Sequence, residues 1–553
     1  MRLSIQRWGA VLLTLTFSLN AKEDHSIKIL QPSWAFTTLA QMTLDEKIGQ
    51  LFMVPTWSNR DEAHVCAVEQ LISDYHVGNV IFFQGNPERQ VALVNRYQKR
   101  AKYPLLCGQD CEWGLSMRLA NTIKFPKNMT LGAIQDDVLV YELGKEIARQ
   151  LRLVGVHVNF APVVDVNTNP YNPIIGIRSF GAFRENVARK GILLAQGLQD
   201  GGVVACAKHF PGHGDTIVDS HYDLPVVTHS VERLMQEALF PFLALIRGGV
   251  QAVMMAHLAV PQLDEKWPST LSQQIISGLL REHFEFNGLI FTDAMVMGAM
   301  VKNFPCGDAA YHALRAGNDV ILYPDDVRAA IARIKKALDD KEISMGDLDM
   351  HVLKILSIKE QLGLVQQRFV DPSLLASLRT PEACQLKKKL YQHAVTLVRD
   401  EQRGIPLQRA DKKTTALLQI GGGDAAPFFE GFTQFYLDPA AASEHVLEII
   451  EQLTPYTTVV INFCSVSAQR DTYGKLPEVA MPVSSVIEAL ERRKVRLIHV
   501  FFTTPYALLR FEKAKTILVA YENDPDAWEA AYNVLFGEGM ALGRLPIALS
   551  FYN

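Results

Sequence analysis

The sequence predicts an α/β fold: a (β/α)8, TIM-like barrel followed by a smaller C-terminal α/β sandwich domain. Three observations lead there. The chain has 553 residues, too many for one ordinary core and enough for two or three domains. From about residue 45 to 325, eight short apolar runs alternate with longer amphipathic segments. From about residue 414 a second, shorter alternation begins.

The N-terminal segment comes first. Arg2 and Arg7 give it positive charge, residues 8–19 are almost wholly apolar or small, and Lys22-Glu23-Asp24 follows. This is the pattern of an export signal over residues 1–21, and it predicts a periplasmic or secreted protein; the alternative, an apolar helix packed on the fold, would leave the protein cytoplasmic. The apolar run is too short to span a bilayer, which takes roughly 20 residues. No stable membrane insertion is expected once the signal is removed.

The barrel is expected over 30–345. Its strand candidates are 51–55, 79–83, 105–110, 158–165, 203–210, 252–258, 289–293 and 319–323. Each is rich in Val, Ile, Leu and Phe without alternation, as a strand covered on both faces must be. The intervening segments, such as 137–153 and 231–248, are long enough for helices. A helical linker is expected over 346–405, with apolar residues at three- and four-residue spacing. The second domain is expected over 406–553, with strands at 415–420, 458–463, 495–502 and 516–520.

Composition excludes several functions. Hydrophobic residues make up 48% and charged residues 21%, with a formal net charge of -4 and no long basic run. A nucleic-acid surface needs clustered cations, so no nucleic-acid partner is expected. Seven scattered cysteines are odd in number and form no disulfide framework. Cys107 and Cys206 fall in apolar runs and are expected as buried thiols.

A barrel carries its chemistry at the C-terminal ends of its strands. Five of the eight runs carry Asp or His there: Asp110, Asp165, His209 beside Lys208, His257 and Asp293. A carboxylate ending a buried strand is costly unless paired or placed at a polar mouth. The densest stretch runs from Lys208-His209-Phe210-Pro211-Gly212-His213-Gly214-Asp215 to Asp219-Ser220-His221. Three readings compete for it. A metal site could draw on His209, His213, Asp219 and His221, although Pro211 and Gly212 split the one suitably spaced pair. A structural loop could use the same groups to satisfy buried backbone. Acid–base chemistry could use Asp219 to orient and charge-stabilise His221, two residues on.

The stretch 208–221 resembles the signature of glycoside hydrolase family 3, in its β-N-acetylhexosaminidase branch. Similarity to the family extends over nearly the whole chain. It includes Glu46-Lys47-Ile48-Gly49-Gln50, Asn159-Phe160-Ala161-Pro162-Val163-Val164-Asp165, Arg178-Ser179-Phe180-Gly181, Phe291-Thr292-Asp293 and Gly543-Arg544-Leu545-Pro546. The resemblance implies retaining hydrolysis of terminal β-linked N-acetylglucosamine, from peptidoglycan-derived glycans, without metal or cofactor. It implies Asp293 as nucleophile and Asp219–His221 as the acid/base pair. It further implies Asp110, Arg118, Arg178, Lys208 and His209 as sugar contacts, with Lys208 a candidate to keep Asp293 ionised. Asp165 is read as supporting structure. The run Gln109-Asp110-Cys111-Glu112-Trp113-Gly114 departs from the family pattern at Cys111 and Trp113.

Three alternatives stand beside this. A neutral His acid/base would let phosphate replace water as acceptor, giving a phosphorylase on the same scaffold. A β-glucosidase would draw a Glu from the second domain, where Glu522 and Glu538 instead read as surface or motif structure. A non-catalytic sugar-binding protein would not need Asp293, Asp219 and His221 together.

Overall fold

The computed structural model describes residues 33–220, 222–423, 426–464 and 479–549. The N-terminal segment 1–21 and His221 lie outside the described residues. Among those described, no helix is long and apolar enough to cross a membrane.

The first domain is a parallel eight-stranded barrel. Its strands are β1 Phe52–Thr56, β2 Asn79–Phe82, β3 Leu106–Gln109, β4 Val158–Asn159, β5 Val204–Phe210, β6 Ala252–Met255, β7 Leu289–Thr292 and β8 Ile321–Leu322. They follow one another in sequence order, with β8 beside β1. The β7–β8 seam is closed by Asp319 N–H to the Ile290 carbonyl at 2.8 Å and Thr292 N–H to the Val320 carbonyl at 3.1 Å. Inside, Phe160 meets Phe291 edge-to-face at 5.3 Å. Gly108 makes room for that ring, since a Cβ there would lie 2.9 Å from Phe160 Cε2.

Helices form where the sequence supplies start signals. Thr43 and Glu46 make a reciprocal capping box for Leu44–Gln50. Asp61 caps Glu62–Asp74, and Asn86 caps Pro87–Arg100. The helix expected over 137–153 runs Val138–Leu153. The one expected over 231–248 is broken into Val231–Arg233, a π-helical turn Leu234–Ala238 and Phe240–Arg247. Pro241 sits at the break, where it has no N–H to give the preceding turn. The run expected as a strand over 158–165 pairs regularly only at Val158–Asn159, because Pro162 interrupts it.

The second domain holds a six-stranded sheet in the order β11-β10-β12-β13-β14-β9. Its strands are β9 Thr396–Asp400, β10 Thr415–Ile420, β11 Thr433–Leu437, β12 Thr458–Phe463, β13 Arg496–Phe501 and β14 Thr516–Val519. All pairs are parallel except β9 with β14. The stretch 346–405, expected as a linker, divides between the domains. Met345–Gln361 packs with the barrel's opening helices, Glu360 accepting the Trp34 N–H at 2.8 Å. β9 is an edge strand of the second sheet.

Two acids of the second domain differ in setting. Glu538 is exposed and pairs with Arg409 at 2.7 Å. Glu522 is not surface but buried against the barrel, accepting the Lys127 N–H and the Thr130 hydroxyl, each at 2.7 Å.

Candidate active site

The C-terminal ends of the barrel strands surround a cavity of about 570 Å³, within the usual range for a small-molecule site. Asp110, Arg118, Arg178, Lys208, His209, Asp219 and Asp293 all line it. Residues nearly two hundred positions apart thus converge because strand order follows sequence order. His221 is the expected site residue outside the described set.

One wall is an ionic network. Lys208, on β5, donates to Asp110 at 2.8 Å and pairs with Glu112 at 3.0 Å. Arg118 donates to the other Asp110 oxygen at 2.6 Å. Arg178 forks onto Glu112 at 2.8 and 3.1 Å and approaches His209 Nε2 at 3.4 Å. Three cations therefore meet two carboxylates, leaving the wall positive. Burial works to raise the carboxyl of Glu112, but Arg178 and Lys208 outweigh it and bring it down to about 2. Asp110 is held well below the usual carboxylate range against its own burial, by Lys208 and Arg118. In turn burial works to lower the Lys208 ammonium, but Asp110 and Glu112 outweigh it and raise it.

Asp293 follows β7 and receives the Ala294 N–H at 2.8 Å. Burial pushes its carboxyl up; His209, His257, the Ala294 N–H and then Lys208 together pull it below the ordinary value. Lys208, the candidate the sequence offered for keeping Asp293 ionised, contributes to that pull but is the last of the four. Its ammonium is engaged by Asp110 and Glu112, and His209 exerts the larger pull.

His209 and His213 share Asp165. His209 Nδ1 lies 2.8 Å from an Asp165 oxygen, and the His213 N–H donates to the other at 2.6 Å. Asp165 thus supports the loop after β5 rather than lining the cavity. Within that loop, the Thr216 hydroxyl lies 3.1 Å from the His213 carbonyl oxygen. His213 Nδ1 lies 2.7 Å from the Thr216 hydroxyl oxygen, and Nε2 lies 3.1 Å from that of Ser220, so both ring nitrogens are engaged within the loop. Burial pushes the His213 imidazole down to about 4, so it stays neutral near pH 7. Asp219 lies beside that latched Ser220 and faces the cavity.

The mouth also has an aromatic side, of which the sequence marks only Trp113. Phe83 and Tyr323 line the cavity directly after β2 and β8. Trp57 stacks on Phe83 at 5.1 Å and meets Tyr323 edge-on at 6.1 Å. Arg118 lies over the Phe83 ring at 4.9 Å. Both residues end apolar runs recognised as strands, so their position carried the signal although their type did not. Trp113 also lines the cavity, with Lys127 over its ring at 5.4 Å. A cavity with both ionic and aromatic linings suits a sugar, which has hydroxyl edges and C–H faces.

Similarity to known proteins spans both domains. The model of the glycosyl hydrolase family 3 N-terminal domain matches residues 43–358. The β-N-acetylglucosaminidase/β-glucosidase of Cellulomonas fimi is 27% identical over 542 residues, covering 93% of this chain and 95% of that protein. The β-hexosaminidase LpqI of Mycobacterium tuberculosis is 32% identical over 332 residues, covering 57% of this chain and 82% of that one. The structure of a glycoside hydrolase family 3 β-N-acetylglucosaminidase from Paenibacillus is 33% identical with a TM-score of 0.78, covering 92% of this chain and 99% of that one.

Proposed function

The chain belongs to glycoside hydrolase family 3, and we propose that it hydrolyses terminal β-linked N-acetylglucosamine with retention of configuration. One observation carries the reading. Asp293 and the loop bearing Asp219 face one cavity built wholly from the barrel, and no carboxylate of the second domain lines it among the described residues. This is the arrangement a barrel-borne acid/base needs, and the similar proteins named for this activity share the barrel.

In the first step an Asp293 oxygen attacks the anomeric carbon. The bond from that carbon to the aglycone oxygen breaks, and His221, oriented by Asp219, gives the departing oxygen its proton. In the second step water attacks the anomeric carbon, His221 takes the water's proton, and the ester to Asp293 breaks. Two inversions give retention. The lowered carboxyl of Asp293 keeps the nucleophile ionised while sugar fills the site. Asp110, Arg118, Arg178, Lys208 and His209 hold the sugar's polar edge. Peptidoglycan-derived glycans are the natural source of the substrate, and the segment 1–21 exports the enzyme to meet them.

Release of p-nitrophenol from its β-N-acetylglucosaminide tests the reading. Turnover that greatly exceeds turnover of the β-glucoside, and is indifferent to added phosphate, is expected. Preference for the glucoside, or a phosphate-dependent sugar phosphate product, would overturn it.

A further inference from the structure

We infer that the second domain acts on the reaction by positioning Arg178, with Tyr506 and Glu522 as the positioning residues. The inference rests on the reading of Arg178 as a sugar contact. Arg178 is the charged side chain that the segment 173–178 presents to the cavity. Its backbone is held from three directions, and each leads into the second domain.

The first runs through the short helix Asn128–Ala133. Asn128 Nδ2 donates to the Arg178 carbonyl at 2.7 Å. Glu522 fixes the start of that helix, accepting the Lys127 N–H and the Thr130 hydroxyl at 2.7 Å each. The Arg544 N–H fixes its end, donating to the Ala133 carbonyl at 2.9 Å.

The second runs through Asn167, which is buried. Its side-chain amide donates to the Tyr506 hydroxyl oxygen at 2.6 Å, and that hydroxyl donates to the Asn167 carbonyl at 3.2 Å. The Asn167 amide group is thereby fixed in orientation, and its oxygen accepts the Gly176 N–H at 3.1 Å, two residues before Arg178. The third contact is the Ala182 N–H to the Pro546 carbonyl at 2.9 Å, just beyond the same turn.

Mere adhesion between domains needs apolar area and no convergence of directed bonds. Here the polar contacts of three separate second-domain segments meet around one turn, and that turn aims one guanidinium at Glu112 and His209. A shift of the turn would move Arg178 without unfolding either domain.

The test uses the full-length enzyme. Tyr506→Phe and the milder Glu522→Gln are each made in the wild type and in Arg178→Ala, and kcat/KM is measured on the chromogenic N-acetylglucosaminide. If the residues act through Arg178, Tyr506→Phe lowers kcat/KM about tenfold in the wild type and less than about twofold in Arg178→Ala. Equal losses in both backgrounds, or no loss in the wild type, would overturn the inference. Hydrogen exchange of the unliganded protein supplies a readout that needs no turnover. Tyr506→Phe should speed exchange across 167–178 and leave the distant barrel helix Glu62–Asp74 unchanged. Unchanged exchange across 167–178 sinks the inference even if the wild type is inert on this sugar, an outcome that would separately sink the substrate reading.

Discussion

Asp293 is the residue on which the proposed chemistry depends most. Asp293→Ala removes the attacking oxygen and leaves the rest of the cavity in place. A fall in kcat of at least about 10³-fold is expected, since both steps pass through that carboxylate. A variant within tenfold of wild type would mean that another group attacks. Glu112 makes a different prediction, about stability. Its folded pKa of about 2 lies below the ordinary 4.5, so it contributes stability that is fully present above 4.5. That contribution fades as pH falls toward 2. Glu112→Gln, which mimics the protonated acid, should cost about 3 kcal/mol at pH 7. The gap from wild type in denaturant unfolding should close progressively below pH 4.5. A gap independent of pH would show that the cost is steric. Polar residues that end apolar runs, such as Asp110, His209 and Asp293, were legible because a charge at the end of a buried strand is costly anywhere but at a polar mouth. The pairing of Lys208 with Glu112 was not, because the partners lie far apart in the chain and nothing in the local sequence links them.

The loop after β5 shows what an element adds to its residues. Pro211 and Gly212 take the chain out of the strand, and His213 then ties the loop back on itself through Thr216 and Ser220. The Asn172 amide completes the tie by donating to the His213 carbonyl at 2.8 Å. Asp219 is held at the cavity by its latched neighbour. Ser220→Ala removes one hydrogen bond worth about 1 kcal/mol, which should appear as roughly a fivefold loss in kcat. KM should hardly move, because Ser220 is not among the proposed sugar contacts. A loss confined to KM would place Ser220 in binding instead. The density of His and Asp in this loop was visible in the sequence. The latch was not, because the choice between metal site, structural loop and acid–base loop turns on which ring nitrogen meets which oxygen. Among strands, β9 and β11 escaped notice because they are edge strands with exposed positions and show no buried apolar run. β10, β12, β13 and β14, buried along almost their whole length, were plain.

At the scale of the whole molecule, the two domains interlock so closely that they should unfold together. The contact at Gly181 makes this testable. Its φ is +133°, a conformation that L side chains rarely adopt, and a Cβ there would lie 2.1 Å from the Pro546 carbonyl oxygen. Gly132, on the helix that Glu522 caps, is equally tight, with a Cβ position 2.0 Å from the Phe180 carbonyl oxygen. The barrel's turn, its short helix and the second domain's strap over residues 543–546 therefore touch backbone to backbone, and only glycine fits. Composition could not reveal this, since Arg178-Ser179-Phe180-Gly181 and Gly543-Arg544-Leu545-Pro546 lie far apart in sequence and meet only after both domains have formed. Gly181→Ala combines backbone strain with overpacking, together about 2–3 kcal/mol. If the interface couples the domains, calorimetry should show a single transition in the wild type, moved to lower temperature in the variant. Tryptophan fluorescence, to which Trp34, Trp57, Trp113 and Trp267 of the first domain and Trp528 of the second contribute, should shift with the same midpoint as far-ultraviolet circular dichroism. Two transitions, of which the substitution moves only one, would mean that the domains fold independently and that the strap rests on a barrel complete without it.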